Sequence, residues 1–234
     1  MKKFFIPIIL SSILLSCNNP EITYFENGNI NSEITYSEDG IRNGSAKWYF
    51  ENGQLEIDGN YLNDVEHGER KWYYKNGQLR ERIHFEHGKE NGLREMWHEN
   101  GQKHEETEYA YGLQNGKHIA WHPNGIKSQD GFYKDGKLHG ELTLWHDNGK
   151  IDTKANYIDD EPDGNWNSWY SNGNKRQECF FKNKVRHGKF SEWFENGQLK
   201  EQGLFNMGIE TGVWKVWSED GTLLHEGEWG NYIE

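Results

Sequence analysis

Three histidines, His98, His122 and His146, each follow a tryptophan at intervals of 24 residues. Imidazoles on a fixed beat are the first pattern in this sequence that could hold a metal. If each beat is a pair of strands, equivalent positions stand about 10 Å apart, whereas zinc draws its nitrogens to about 2.1 Å. Three such imidazoles cannot share one ion. Tyr74 and Tyr170 continue the same column, so the position reads as one for a ring, and no metal or cofactor is expected. Asp159-Asp160-Glu161-Pro162-Asp163-Gly164 places acids ahead of a glycine, like the start of a calcium loop, but its twelfth position is Tyr170 rather than a bidentate glutamate. An exposed acidic turn is the expectation there. His67, His87, His139 and His187 fall in turns and are expected to face solvent. Cys179 occupies a position that other beats give to Gly59, Gly131, Gly203, Gly227 or Ala155, so it reads as a small buried residue rather than a reactive thiol. No nucleophile elbow, P-loop or His-Glu-x-x-His motif is present. Catalysis needs unlike groups converging at one place, and a composition that repeats along the chain offers no such place. No catalytic residue is expected.

The beat itself defines the elements. Asn-Gly recurs at 27–28, 52–53, 76–77, 100–101, 124–125, 148–149, 172–173 and 196–197, with Asp220-Gly221 as a ninth; the first step is 25 residues and each later one 24. A second glycine keeps time at 44, 68, 92, 116, 140, 164, 188 and 212. Aromatic residues precede each turn (Tyr24, Tyr49, Tyr73, Trp97, Trp121, Trp145, Trp169, Trp193, Trp217) and follow it (Tyr36, Tyr61, Phe85, Tyr109, Tyr133, Tyr157, Phe181, Phe205, Trp229). The one extra residue lies between Tyr36 and Gly44. Such a period marks a repeat architecture in which contacts run mainly between neighbours and the end units act as caps. The expected fold is all-β: tandem antiparallel hairpins spanning residues 24–234 as nine units, forming an elongated, twisted, single-layer sheet about 80 Å long.

Asn-Gly is the strongest short hairpin signal and favours a two-residue type I′ turn, with the link at the second glycine the looser one. That register pairs Glu51 with Gln54 and Tyr49 with Glu56, placing Trp48, Phe50, Leu55 and Tyr61 on one face and Tyr49 on the other. A three-residue bulged turn would instead pair Tyr49 with Leu55; the first register is preferred. The rings are primarily structural, each column propped by its neighbours. In the preferred register Trp97, Trp121, Trp145, Trp169 and Trp193 form one column beside mostly polar residues. Indole offers a larger face than phenol and one N–H donor, so this column is the expected partner-binding stripe.

The first residues read as an address. Lys2 and Lys3 precede an apolar run from Phe4 to Leu15, too short to span a membrane as a helix and patterned like a secretory signal. Leu14-Leu15-Ser16-Cys17 resembles the lipobox of bacterial lipoproteins. The resemblance implies cleavage after residue 16, lipidation at Cys17, a short linker over 17–23 and attachment to the cell envelope by the lipid alone. With Cys17 so used, Cys179 is the only other cysteine and no intramolecular disulfide is expected.

The composition limits partners. Leu, Ile, Val and Phe make up only about a fifth of the chain, so burial must come from aromatic rings on a thin scaffold. Beyond residue 16 there are 24 basic against 38 acidic residues, a net charge of −14. Nucleic acid is disfavoured, since phosphate binding draws on excess Lys and Arg. Basic partners are favoured. The stretch Phe205-Asn206-Met207-Gly208-Ile209-Glu210-Thr211-Gly212 resembles the MORN repeat. Trp193-Phe194-Glu195-Asn196-Gly197-Gln198-Leu199 is similar to its bacterial variant, and the likeness extends over residues 24–230. It implies serial hairpins used as a non-enzymatic binding scaffold, with an antitoxin or immunity role and a protein partner such as a basic toxin. Two other readings stay open from the residues: a carbohydrate-binding envelope module, and a purely structural spacer.

Overall fold

The structure, a computed structural model, describes residues 19–229. The expected signal segment 1–16, the lipidation site Cys17 and residues 230–234 lie outside the described residues. Within them the chain is all-β. From Glu21–Tyr24 to Leu223–Trp229 every pairing is antiparallel and joins strands close in sequence, giving one open sheet of 22 strands among the described residues. Several short strands are parts of longer ones: Val65–Glu66 and Gly68–Tyr73 both pair with Leu55–Leu62, with a bulge between them at His67 and Gly68.

The register of each hairpin body is the expected one, and its tip is not. Trp48 pairs with Ile57, Ala46 with Gly59 and Gly44 with Tyr61. At the tip, however, Tyr49 pairs with Leu55, and Glu56 is the extra residue of a bulge. The loop is the three-residue Glu51-Asn52-Gly53, closed by Gly53 N–H donating to Phe50 O (2.8 Å) and Phe50 N–H donating to Gln54 O (2.8 Å). Only Gly53 has positive φ, at 81°, as expected of a bulged three-residue loop rather than a type I′ turn. The expected two-residue Asn-Gly turn and the pairings Glu51–Gln54 and Tyr49–Glu56 are therefore corrected. Loop and bulge offset one another, so Tyr49 still faces away from Tyr61, while Leu55 joins Tyr49 rather than Trp48.

The two-residue turns occupy the links that looked looser. Asn63-Asp64 has φ of 53° and 64° between the paired residues Leu62 and Val65. Asp159-Asp160 and Met207-Gly208 repeat this conformation. The extra residue between Tyr36 and Gly44 converts the first such link into a three-residue loop, with Gly40 N–H bonded to Ser37 O (3.0 Å).

Alternation along the strands separates two faces. One holds the core, a central column in which the two strands of each hairpin meet. Its pairs run Ala46–Gly59, Arg70–Ile83, Arg94–Thr107, His118–Gly131, Leu142–Ala155, Trp166–Cys179, Phe190–Gly203 and Trp214–Gly227. Toward the C-terminus the column is apolar and aromatic: Phe190, Phe205, Cys179 and Trp214 are buried together, with the Phe205 and Trp214 rings edge to face at 5.2 Å. Burying a side chain of that size contributes roughly 1.5–3 kcal/mol. Toward the N-terminus the same column is polar. Arg94 donates to Glu81 (2.8 Å) and lies within hydrogen-bond reach of the Tyr109 hydroxyl (3.3 Å), and His118 Nδ1 meets Thr107 Oγ1 at 2.7 Å. Burial holds the His118 pKa below the ordinary histidine value, against the opposing pull of Glu105 and Asp130. Aromatic rings are thus not the whole of the buried material; paired arginine and histidine fill the polar half.

Candidate binding face

The opposite face carries the tryptophan column. Trp97, Trp121, Trp145, Trp169 and Trp193 each end a strand just before a three-residue tip, and all five are half-buried. Strand alternation places them on the side away from Arg94, His118, Leu142, Trp166 and Phe190. The face is built from cations leaning on rings: the Lys103 ammonium lies 5.2 Å from the Trp97 ring centroid, Lys127 5.5 Å from Trp145 and Lys175 5.4 Å from Trp193. Lys127 and Lys175 reach across from the preceding repeat, and each holds an acid three residues on, Lys127 to Asp130 at 2.8 Å and Lys175 to Glu178 at 2.6 Å. Burial works against the charge of Lys103, yet hydrogen bonds from it to Glu106 and Glu95 carry its pKa above the usual lysine value. These contacts fix the indoles and leave one flank of the column in water.

Two clefts open on this face. The first, about 680 Å³, has Trp145 and Phe132 on its walls with Lys117, Asp130, Glu141 and Lys154 around them. The second, about 540 Å³, sits two repeats further on, where Trp193 and Phe180 occupy the equivalent places. Both volumes fall in the range of small-ligand sites, roughly 300–1,000 Å³.

The histidine column does a different job. His122 Nε2 lies 2.9 Å from Trp145 O and His146 Nε2 lies 3.0 Å from Trp169 O. Tyr74 and Tyr170 make the same link through their hydroxyls, donating to Trp97 O and Trp193 O at 2.7 and 2.8 Å. Each ring therefore reaches the backbone of the next repeat, with imidazole N–H replacing phenol O–H. His98 departs from this: its ring lies on His104 with centroids 4.5 Å apart, and its Nε2 is buried without a partner. The acidic stretch from Asp159 is a tight turn rather than an open loop, with Asp160 Oδ1 accepting the Leu138 N–H at 2.8 Å. Among the described residues no group of three or more His, Cys, Asp or Glu side chains converges as a metal site would require. Nor does any described helix have the length and apolarity to cross a membrane.

The tip asparagines are functional in folding in a way that the turn rule did not reveal. Asn52 Oδ1 accepts the Gln54 N–H (3.1 Å) while its Nδ2 donates to Lys75 O in the next tip (3.2 Å). Asn124 and Asn148 repeat the link to Asp147 O and Ser171 O, each at 2.7 Å. Their strict recurrence was the available signal; a turn preference alone would have allowed Asp.

A continuous sheet of near-identical hairpins, with rings and cations displayed on one face, defines the class: a repeat-built binding scaffold. The chain belongs to the MORN repeat variant family, whose model matches seven repeats, at residues 18–38, 42–63, 66–87, 90–111, 138–159, 162–183 and 186–207. The hairpins of Leu113–Trp121 with Lys127–Lys134 and of Ile209–Trp217 with Leu223–Trp229 repeat the geometry outside those ranges. A comparison with curated proteins found no match. MORN repeats are protein- or membrane-binding modules and form a scaffold family, not an enzyme family.

Proposed function

We propose that this protein is a non-enzymatic, lipid-anchored protein of the bacterial cell envelope that binds another protein through its tryptophan face. The observation that carries the reading is the column Trp97, Trp121, Trp145, Trp169 and Trp193, held half-buried on the face opposite the core. Indoles kept across five units on the less enclosed side suit desolvated contact with a partner. The acidic balance of the chain favours a basic partner and faster encounter with it. A basic toxin neutralised at the envelope is the form of that partner consistent with an immunity role, and Cys17 is the attachment point in this reading.

The test uses the full chain in its membrane. Cys17→Ser moves the protein to the soluble fraction with its circular dichroism unchanged. Trp121→Ala and Trp145→Ala weaken capture of the co-purifying partner by about tenfold or more, the size of one or two lost anchor contacts, with melting measured on the same samples. Unchanged capture by the folded fraction of both tryptophan variants makes the column purely structural. Unchanged fractionation of Cys17→Ser removes the anchor.

A further inference from the structure

The two clefts on the tryptophan face share a geometry and differ in chemistry. Equivalent positions hold Lys117 and Asn165, Ile119 and Asn167, Thr143 and Ser191, Lys154 and Gln202, while the aromatic pairs Trp145 with Phe132 and Trp193 with Phe180 are kept. The first cleft is charged rather than neutral: Glu108, Lys117, Asp130, Glu141 and Lys154 line it, and Asp130 takes Lys127 at 2.8 Å and Lys117 at 3.8 Å. In the second the polar groups are mostly neutral and mostly unused. Among the described residues the side-chain amides of Asn165 and Asn167 have no hydrogen-bond partner. Gln202 and Ser191 share one long contact, with Nε2 3.4 Å from Oγ. Glu178 is already held by Lys175, and Phe180 is 39% exposed.

An aromatic wall beside free amides and a hydroxyl fits a ligand that presents C–H faces to rings and hydroxyls to neutral donors and acceptors. We propose that the cleft formed by Asn165, Asn167, Phe180, Ser191, Trp193 and Gln202 is a saccharide-binding site. Pyranose rings have that surface: a flat C–H face to lie on an indole, and equatorial hydroxyls that both donate and accept. A charged ligand would meet little opposite charge here beyond the exposed Lys189. The first cleft has charged side chains, Lys117, Glu141 and Lys154 among them, where the second has neutral amides. The assignment does not rest on the protein-partner reading. The tryptophans that test that reading, Trp121 and Trp145, do not line this cleft.

The experiment is calorimetric titration of the detergent-solubilised full chain with chitotetraose, maltotetraose, cellotetraose, mannotetraose and tetragalacturonate. Saturable binding of at least one is expected. Asn165→Ala and Asn167→Ala, whose amides have no partner among the described residues, weaken it by about tenfold each, the loss of one or two hydrogen bonds. Trp193→Ala weakens it further, and Leu93→Ala, exposed at the position equivalent to Asn165 three repeats earlier, leaves it unchanged. Binding that ignores both asparagine substitutions, or no binding by any of the five probes, overturns the site. So does a polypeptide partner whose footprint covers Asn165 and Asn167 and is lost with them, since the cleft would then be protein-binding.

Discussion

Asparagine at the tips shows how much one side chain carries when it repeats. Its carbonyl organises the loop and its amide reaches the next one, so a single residue type closes a hairpin and joins it to its neighbour. The ninth tip makes the point by exception. Asp220 accepts the Thr222 N–H at 3.0 Å and the Ser218 hydroxyl at 2.6 Å, as a tip residue should, and those bonds, the Ser218 hydroxyl first, hold its pKa down to about 2. A carboxylate has no N–H to pass on. At the last described unit that donor has no further tip to meet. Cys179 is the other telling residue: it lies in the core against Phe190, Phe205 and Trp214, and burial pushes its thiol up to about 11. At about pH 8, near the ordinary thiol pKa, an unfolded cysteine is partly thiolate and Cys179 is not. In a Cys17→Ser background Cys179 reacts with a thiol reagent about a hundredfold more slowly folded than in urea, in line with a thiol pKa pushed up to about 11. Equal rates would place Cys179 outside the core.

At the scale of the hairpin, the two turn types divide the work. Three-residue tips carry the asparagine links, while the two-residue turns join repeats through the backbone: Asp64 N–H donates to Arg42 O, Gly112 N–H to Glu90 O and Gly136 N–H to Gln114 O, each at 2.8 Å. Glycine at the tip is required by geometry. Gly149 has φ of 82°, and a Cβ there would touch Ile126 at 3.6 Å, so space is adequate and conformation is the obstacle. Gly149→Val forces a β-branched residue into that region at a cost of about 1–3 kcal/mol. Chemical denaturation of the variant measures it, and a change within about 0.5 kcal/mol would contradict the turn geometry. The expected strain survives the correction of turn type because the glycine holds a left-handed conformation in both loops.

Over the whole molecule, stability is a sum over neighbours, because strands pair only with strands one or two places along the chain and the links between tips reach one repeat. Removing one period should therefore shorten the sheet without unfolding it. Deleting residues 114–137 joins Leu113 to Leu138, which stands where Gln114 stood, and keeps every later side chain on its own face. The shortened chain melts cooperatively with a β-sheet spectrum. Deleting residues 115–137, one fewer, moves the next strand by one position and presents Leu142 where Thr143 belongs, exchanging the two faces at the junction. That variant loses cooperative melting of the units beyond it. If both deletions melt alike, alternation does not organise this sheet.

The period, the all-β class, the family and the pairing in the hairpin bodies were legible in the sequence, since they follow from the spacing of Asn-Gly, the second glycine and the rings. So was the small, buried character of Cys179, from the company it keeps in its column. The tips were not legible. Asn-Gly is compatible with both a two-residue and a three-residue loop, and the choice went to the three-residue loop in which Asn52 Nδ2 meets Lys75 O, a partner 23 residues away in sequence. The histidines followed the same logic: the sequence marked a ring position, and only the placement of the next strand revealed the carbonyl that His122 and His146 meet. The second cleft was hidden for a related reason. Asn165 and Asn167, Ser191 and Gln202 come from three different strands, and periodicity draws attention to what repeats, whereas this cleft differs from its counterpart in the residues that do not.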